Sequence, residues 1–259
     1  MCIRDSDDTP DAEIDGENFS IAGCKFSELP EEVQMILRTY TFTVYNLEEY
    51  TDEEIEEMFF RLNNGAGLSK TQIANVKLGM KLAKFVKEMV NRKFFTEVCH
   101  FTGAQYRRAA DEKTFIQSMM LLDVKDGDYE LTSISEGCVI SYAESLHDNY
   151  SDAKCERLEK IMDYLEEGFD GKEKFMKVIN IPMFIYMADE AINSGITPSE
   201  YYSWFEQFAG KYSPDCKYAE NCGTGSIKKD KVNGRIEVLK EDFGQYFAEE
   251  LKLVNNEEE

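Results

Sequence analysis

Two stretches of this chain place residues at spacings that suggest a chemistry. The first is Gly65-Ala66-Gly67-Leu68-Ser69-Lys70-Thr71, whose glycines and Lys-Thr ending look like a loop that cradles phosphates. A P-loop needs Gly directly before its Lys and a buried strand leading in, so that backbone amides close on the phosphate. Here Ser69 precedes Lys70 and no such strand precedes Gly65. A break between two helices is the better reading. The second stretch, Asp11-x-Glu13-x-Asp15-Gly16, copies the opening of a calcium loop. Its twelfth position is Ala22, where a bidentate Glu must close the oxygen shell. That reading is rejected.

Nucleophilic and metal chemistry have little to build on. The only histidines, His100 and His147, are far apart in sequence, and His147 before Asp148-Asn149 reads as a helix-end residue. Seven cysteines form no Cys-x-x-Cys pair, and Cys216 and Cys222 have the wrong spacing for a zinc knuckle. An odd count without a framework spacing favours reduced thiols and a cytoplasmic address. Tyr201, Tyr202, Trp204, Phe205 and Phe208 crowd one segment, but no interleaved Arg or Lys equips them to stack bases. Tyr201, Phe205 and Phe208 share a helical face and read as core. The basic groups nearest to a patch are Arg107-Arg108 and Lys228-Lys229, with Lys231 and Arg235 following; Gly223-Thr224-Gly225-Ser226 ahead of them reads as an interhelical loop.

The chain that must position these groups has 259 residues, 29 Lys+Arg and 51 Asp+Glu, for a net charge of −22. That balance gives no support to a footprint on nucleic acid across the whole chain, because neutralising phosphates takes clustered cations. The excess sits at the ends: residues 1–20 and 241–259 each carry seven acids against a single cation. Such ends read as solvated tails. At 42% apolar and 12% aromatic the chain is globular. Its longest apolar run, residues 181–188, is far too short to span a bilayer.

Five prolines and a recurring 3.6-residue periodicity predict a mainly α protein. Residues 19–26 read as a short strand or an ordered lead-in, 29–40 as a helix and 41–47 as a half-buried strand. Thr51 with Glu54, and Ser69 with Gln72, have the spacing of capping boxes, each opening a helix. Ile55, Phe59 and Leu62 from the first helix, with Ile73, Val76 and Met80 from the second, are expected in one shared core; Val86 and Val90 continue the second face. Asn63-Asn64-Gly65 breaks the chain between them, because these residues tolerate positive φ. Further helices are predicted over 104–122, 133–147, 151–168, 172–193, 197–210 and 229–252, with Pro182 kinking or splitting the fourth of this set.

One segment carries more specific information. Met58-Phe59-Phe60-Arg61-Leu62-Asn63-Asn64-Gly65, followed by Leu68-Ser69-Lys70-Thr71-Gln72, resembles the F-x-R-L-N-x-G-x-x-L-S signature of the GmrSD restriction-endonuclease N-terminal domain family (domain of unknown function 262). The approach, Phe26-Ser27-Glu28-Leu29-Pro30-Glu31-Glu32 and then residues 41–47, follows the order of that family, and the resemblance is dense over residues 19–95. It implies a helical domain with a small β remnant of a ParB/sulfiredoxin-like α/β domain near the N-terminus. It further implies a cytoplasmic part in bacterial or phage restriction and defence, nucleotide triphosphate with magnesium as the relatives' cofactor, and a nuclease module or subunit as partner. DNA would be met indirectly, and no membrane is involved.

The D-G-Q-Q-R motif on which that family's hydrolysis rests is absent; Asp15-Gly16-Glu17-Asn18 shares only its first two letters. The chain therefore reads as a family member cut just after its catalytic motif and inactive alone, with residues 1–6 resembling translated sequencing adapter. The expected organisation is an acidic, disordered lead-in over 1–18, the restriction-type domain's C-terminal part over 19–98, a helical domain over 99–253 and an acidic tail over 254–259. No catalytic residue, metal ligand or cofactor is assigned within the chain. Arg61, Asn63, Asn64 and Lys70 are the candidates for binding a nucleotide or other ligand, and Gly65, Ser69 and Gln72 form the structural turn. The competing reading is a non-catalytic acidic helical interaction protein or DNA mimic.

Overall fold

A computed structural model describes residues 11–14, 16–21, 24–41, 44, 51, 54–55, 58 and 69–257. The mainly helical expectation holds: helix makes up 66% of the structure, beside one small antiparallel sheet near the N-terminus. The chain divides into two compact units, Met1–Tyr50 and Thr51–Glu259.

In the first unit, β1 (Ala12–Ile14) pairs with β2 (Glu17–Phe19) in the register Ala12↔Phe19, Glu13↔Asn18 and Ile14↔Glu17. The connection is two residues long, and Gly16 takes φ +87° there, the conformation that a tight hairpin turn demands. Gly16, part of the calcium-loop imitation, is thus hairpin punctuation. This hairpin also lies inside the stretch that composition alone assigned to solvated chain. A single 3-10 turn (Phe26–Glu28) leads into α1 (Glu31–Thr39), within the span predicted for it. Most of the strand expected over 41–47 lies outside the described residues; Thr41 and Val44, which are described, are in no strand.

The second unit opens with the predicted capping box. Thr51 N–H donates to Glu54 Oε2 at 2.9 Å, and Glu54 N–H donates to Thr51 Oγ1 at 3.3 Å. After it come α2 (Lys70–Lys77), α3 (Met80–Val90), a π-helical turn (Phe94–Val98), α4 (Gly103–Arg107), α5 (Ala110–Asp126) and α6 (Glu136–Leu146). Next are α7 (Asp152–Gly168), α8 (Ile181–Asn193), α9 (Pro198–Lys211), α10 (Lys217–Glu220) and α11 (Lys229–Glu257).

Helices α5 and α8 form the centre. Almost every α5 residue from Ala110 to Asp123 is buried, as is α8 from Ile181 to Asp189. They pack on each other; α3 and α6 lie against α5, while α7 and α11 lie against α8. The apolar run at 181–188 is this inner helix. The crowded aromatics on α9 are core, as their spacing predicts: Tyr201, Trp204, Phe205 and Phe208 are all buried. Trp204 stacks edge-on to Phe243 of α11 and donates its indole N–H to Asp242 at 2.9 Å. Burying a side chain of that size, on the order of 200 Å², is worth roughly 5 kcal/mol of gross transfer free energy. Among the described residues no helix is long and apolar enough to cross a membrane.

Three expectations need correction. The long helix predicted from Ser69 is two helices, broken at Gly79 with φ +83°. That break resets the phase of the buried face. Thr71, Ala74 and Leu78 point inward on the first half, Ile73 and Val76 are only half-buried, and Met80 is 53% exposed. Past the break the face runs through Leu82, Val86, Met89 and Val90, so the Val86 and Val90 assignments stand. Ile55 is half-buried; Phe59 and Leu62 lie outside the described residues. Second, the helix predicted from 172 begins at Ile181, with Pro182 in its first turn, where a missing amide costs no intrahelical bond. Third, the segment expected as one helix from 104 is broken at Ala109, which takes the left-handed conformation at φ 52°.

An elbow at Gly79 is held from a distance. His147 and Asp148, both at positive φ, close the end of α6 beside it. Asp148 N–H donates to Leu78 O at 2.8 Å, and the Asp148 carboxylate accepts from Leu82 N–H at 2.8 Å. The carboxylate thereby supplies the N-terminal cap that Gly79 lacks and favours the positive end of the α3 dipole. His147 caps α6 and its ring meets Lys77 O at 3.3 Å, a structural post as expected.

Candidate functional site

Of the sequence-predicted site, Arg61, Asn63, Asn64 and Gly65 lie outside the described residues. Ser69, Lys70 and Gln72 form the start of α2. Ser69 Oγ accepts from Gln72 N–H at 3.2 Å and Gln72 Oε1 accepts from Ser69 N–H at 2.8 Å, a complete capping box. Lys70 is the first helical residue, and its ammonium pairs with Glu136 of α6 at 3.5 Å. Lys113 of α5 reaches the same carboxylate at 3.3 Å. Burial raises the Glu136 pKa, but Lys113 and then Lys70 outweigh it and hold the group below its usual value. In this arrangement the Lys70 charge ties α2 to α6.

The densest chemistry in the unit lies where the end of α5 meets α7 and α8. Asp123 and Asp126 occupy the last turn of α5, the negative end of that helix, so they need cations from elsewhere. Lys154 and Arg157, one turn apart on α7, supply them. Lys154 Nζ donates to Asp123 Oδ1 at 2.7 Å and lies 2.7 Å from Asp128 Oδ2. Tyr142 O–H donates to the other Asp123 oxygen at 2.7 Å. The Arg157 guanidinium grips Asp189 with two parallel bonds, Nε to Oδ1 at 2.6 Å and Nη2 to Oδ2 at 2.7 Å. Its remaining Nη1 donates to Asp126 at 2.6 Å. Lys125 completes the lattice, donating to Asp189 Oδ2 at 2.7 Å, pairing with Glu190 and lying over the Tyr186 ring.

Burial works against the charged form of Asp189, but the Arg157 and Lys125 bonds outweigh it and its pKa falls below the usual carboxylate value. The bonds to Asp189 and Asp126 raise the Arg157 pKa against its own desolvation. Burial, reinforced by the neighbouring Asp123 charge, drives the Tyr142 and Tyr150 phenols far up, so both act as neutral hydrogen-bond partners.

Asp123, Asp126 and Asp128 each bring one oxygen within 4.8 Å of the others, a spacing that suits a hard cation. The part of that cation is taken by the protein: Lys154 sits on Asp123 and Asp128, and Arg157 sits on Asp126. The lattice holds three helices in register and offers no free general base.

Sequence reasoning missed this lattice. The one signal for it is Asp189-Glu190 at the end of the most apolar run in the chain, because a carboxylate on an inner helix requires a buried cation partner. Arg235, which follows the basic groups nearest to a patch in sequence, is 0% exposed beneath the 221–226 loop. Among the described residues all cysteines are free thiols. Comparison with protein-family models, with curated proteins and with solved structures finds no match to this chain.

Proposed function

We propose that this chain belongs with the restriction- and defence-associated proteins that the 58–72 segment resembles, and that it serves there in binding and coupling, not as the seat of nucleotide hydrolysis. The observation that supports this reading most is the commitment of the charged groups. Lys70 of the signature segment is spent on Glu136, and the α5 carboxylates best spaced for magnesium are spent on Lys154 and Arg157. Hydrolysis of a nucleotide needs groups that place the phosphates, orient water and hold a metal against the developing charge. The signature segment brings Arg61, Asn63 and Asn64 as groups that can meet a phosphate or a base edge.

The test is phosphate release from GTP and ATP with magnesium. The chain should give no turnover above the protein-free rate. Turnover that Arg61→Ala abolishes would overturn the reading and make the signature segment catalytic.

A second reading, an acidic interaction protein that mimics DNA, gains from one observation. The backbone of the acid-rich stretch after residue 240 is helical to Glu257, so Glu241 and Asp242 are carried on a helix. Displacement of duplex DNA from a basic DNA-binding partner by the purified chain would favour it over the first.

A further inference from the structure

One cleft stands apart from the charge pattern of the whole molecule. It encloses about 740 Å³ between the 172–180 connection, the end of α9 and the 221–226 loop. Lys172, Lys174 and Lys177 line it, all exposed, against a single lining carboxylate, Glu173, which accepts from Tyr202 O–H at 3.2 Å. None of the three lysines forms an ion pair with a described residue. In a chain of net charge −22 that is an unusual concentration of uncompensated cations.

A second, independent observation points the same way. Arg235 is fully buried behind Cys222, which lines the cleft. Its Nη1 donates to Asn221 O at 2.7 Å and Ser226 O at 2.8 Å, while Nε and Nη2 have no partner. No described carboxylate neutralises it. Burial lowers its pKa, and its charge still acts on the Cys222 thiol. A guanidinium held this way projects unscreened positive potential through low-dielectric protein. The remaining wall is aromatic: the Phe175 and Tyr212 rings lie 5.1 Å apart, and Tyr212 is 39% exposed.

We propose that this cleft binds a small phosphorylated ligand bearing a planar ring, of the nucleotide class, with Lys172, Lys174 and Lys177 on the phosphates and Tyr212 against the ring. Lysines act as mobile point charges that follow a phosphate chain, and an exposed phenol offers a face on which a base stacks. The volume suits a ligand of that size. None of these residues belongs to the 58–72 segment, so the proposal stands or falls separately from the reading above.

Titration calorimetry on the full chain tests it, with ADP, pyrophosphate and adenosine as probes. ADP should bind saturably, pyrophosphate more weakly and adenosine weakest. Lys172→Ala/Lys174→Ala/Lys177→Ala should lose about tenfold or more of ADP affinity, because the variant removes the cations that face the phosphates. Tyr212→Ala should weaken ADP and leave pyrophosphate unchanged. A triple alanine variant at the exposed Lys81, Lys84 and Lys229, none of which lines the cleft, should bind as wild type. No saturable binding of either phosphate, or equal losses in both triple variants, would overturn the site. Equal affinity for ADP and pyrophosphate, unmoved by Tyr212→Ala, would overturn the ring recognition.

Discussion

Replacing Asp189 by Asn tests the lattice at its centre. The carboxylate is buried and accepts three short bonds from two cations, Arg157 and Lys125. Removing one partner of a buried pair costs about 3–5 kcal/mol, because the other charge is left without compensation. Two facts place this site at the low end. The Lys125 and Arg157 side chains retain 18% and 27% exposure, and each keeps a second acid, Glu190 and Asp126. A loss of about 3 kcal/mol follows, or a fall in Tm of about 6–12 °C for a unit of this size. The loss must depend on pH. Asp189 has its pKa lowered by folding, so its contribution is complete above the unfolded value of about 3.9. It disappears as pH falls through the lower, folded value. Urea unfolding of wild type and Asp189→Asn at a series of pH values should therefore give a constant difference above about pH 5 that shrinks below about pH 4. A difference under about 1 kcal/mol at pH 7, or one that does not shrink in acid, would refute the lattice as a buried clamp. The exposed Lys84–Glu88 pair is the contrast: Glu88→Gln should cost no more than about 0.5 kcal/mol.

Gly79→Ala should destabilise by about 2 kcal/mol or more in thermal unfolding: the residue sits at positive φ, and a Cβ there would fall 2.5 Å from the Asp148 carboxylate. Thr197→Ala should cost about 1 kcal/mol by the same assay, since Thr197 caps α9 through Glu200 N–H. Calcium or magnesium at millimolar concentration should leave Tm within about 1 °C, because a metal at Asp123, Asp126 and Asp128 would have to displace Lys154; a rise of several degrees would show that a cation does bind and stabilise the fold.

Local signals in this sequence report what neighbours in the chain can satisfy, and there they were sufficient. The capping boxes at Thr51 and Ser69 each close within three residues, and each is present as the spacing required. The aromatic face of α9 follows from 3.6-residue periodicity alone. What escaped was set by distant partners. Gly79 reads as a tolerated glycine within a helix until Asp148, far along the chain, supplies the cap that lets the helix break. Nothing local in the sequence marks Lys154 and Arg157, and only the packing of α7 on α8 turns them toward buried carboxylates.

The same distinction separates the two groups of cations that matter here. Lys154 and Arg157 face the negative end of α5, so folding consumes their charge and gives back register among three helices. Lys172, Lys174, Lys177 and Arg235 form no ion pair with a described residue, so folding leaves their charge unspent. Burying a guanidinium without a counter-ion costs several kcal/mol, and a fold that carries this cost at one place recovers it when an anion arrives. On that argument the lattice is the part of this molecule that holds it together, and the cleft is the part equipped to bind.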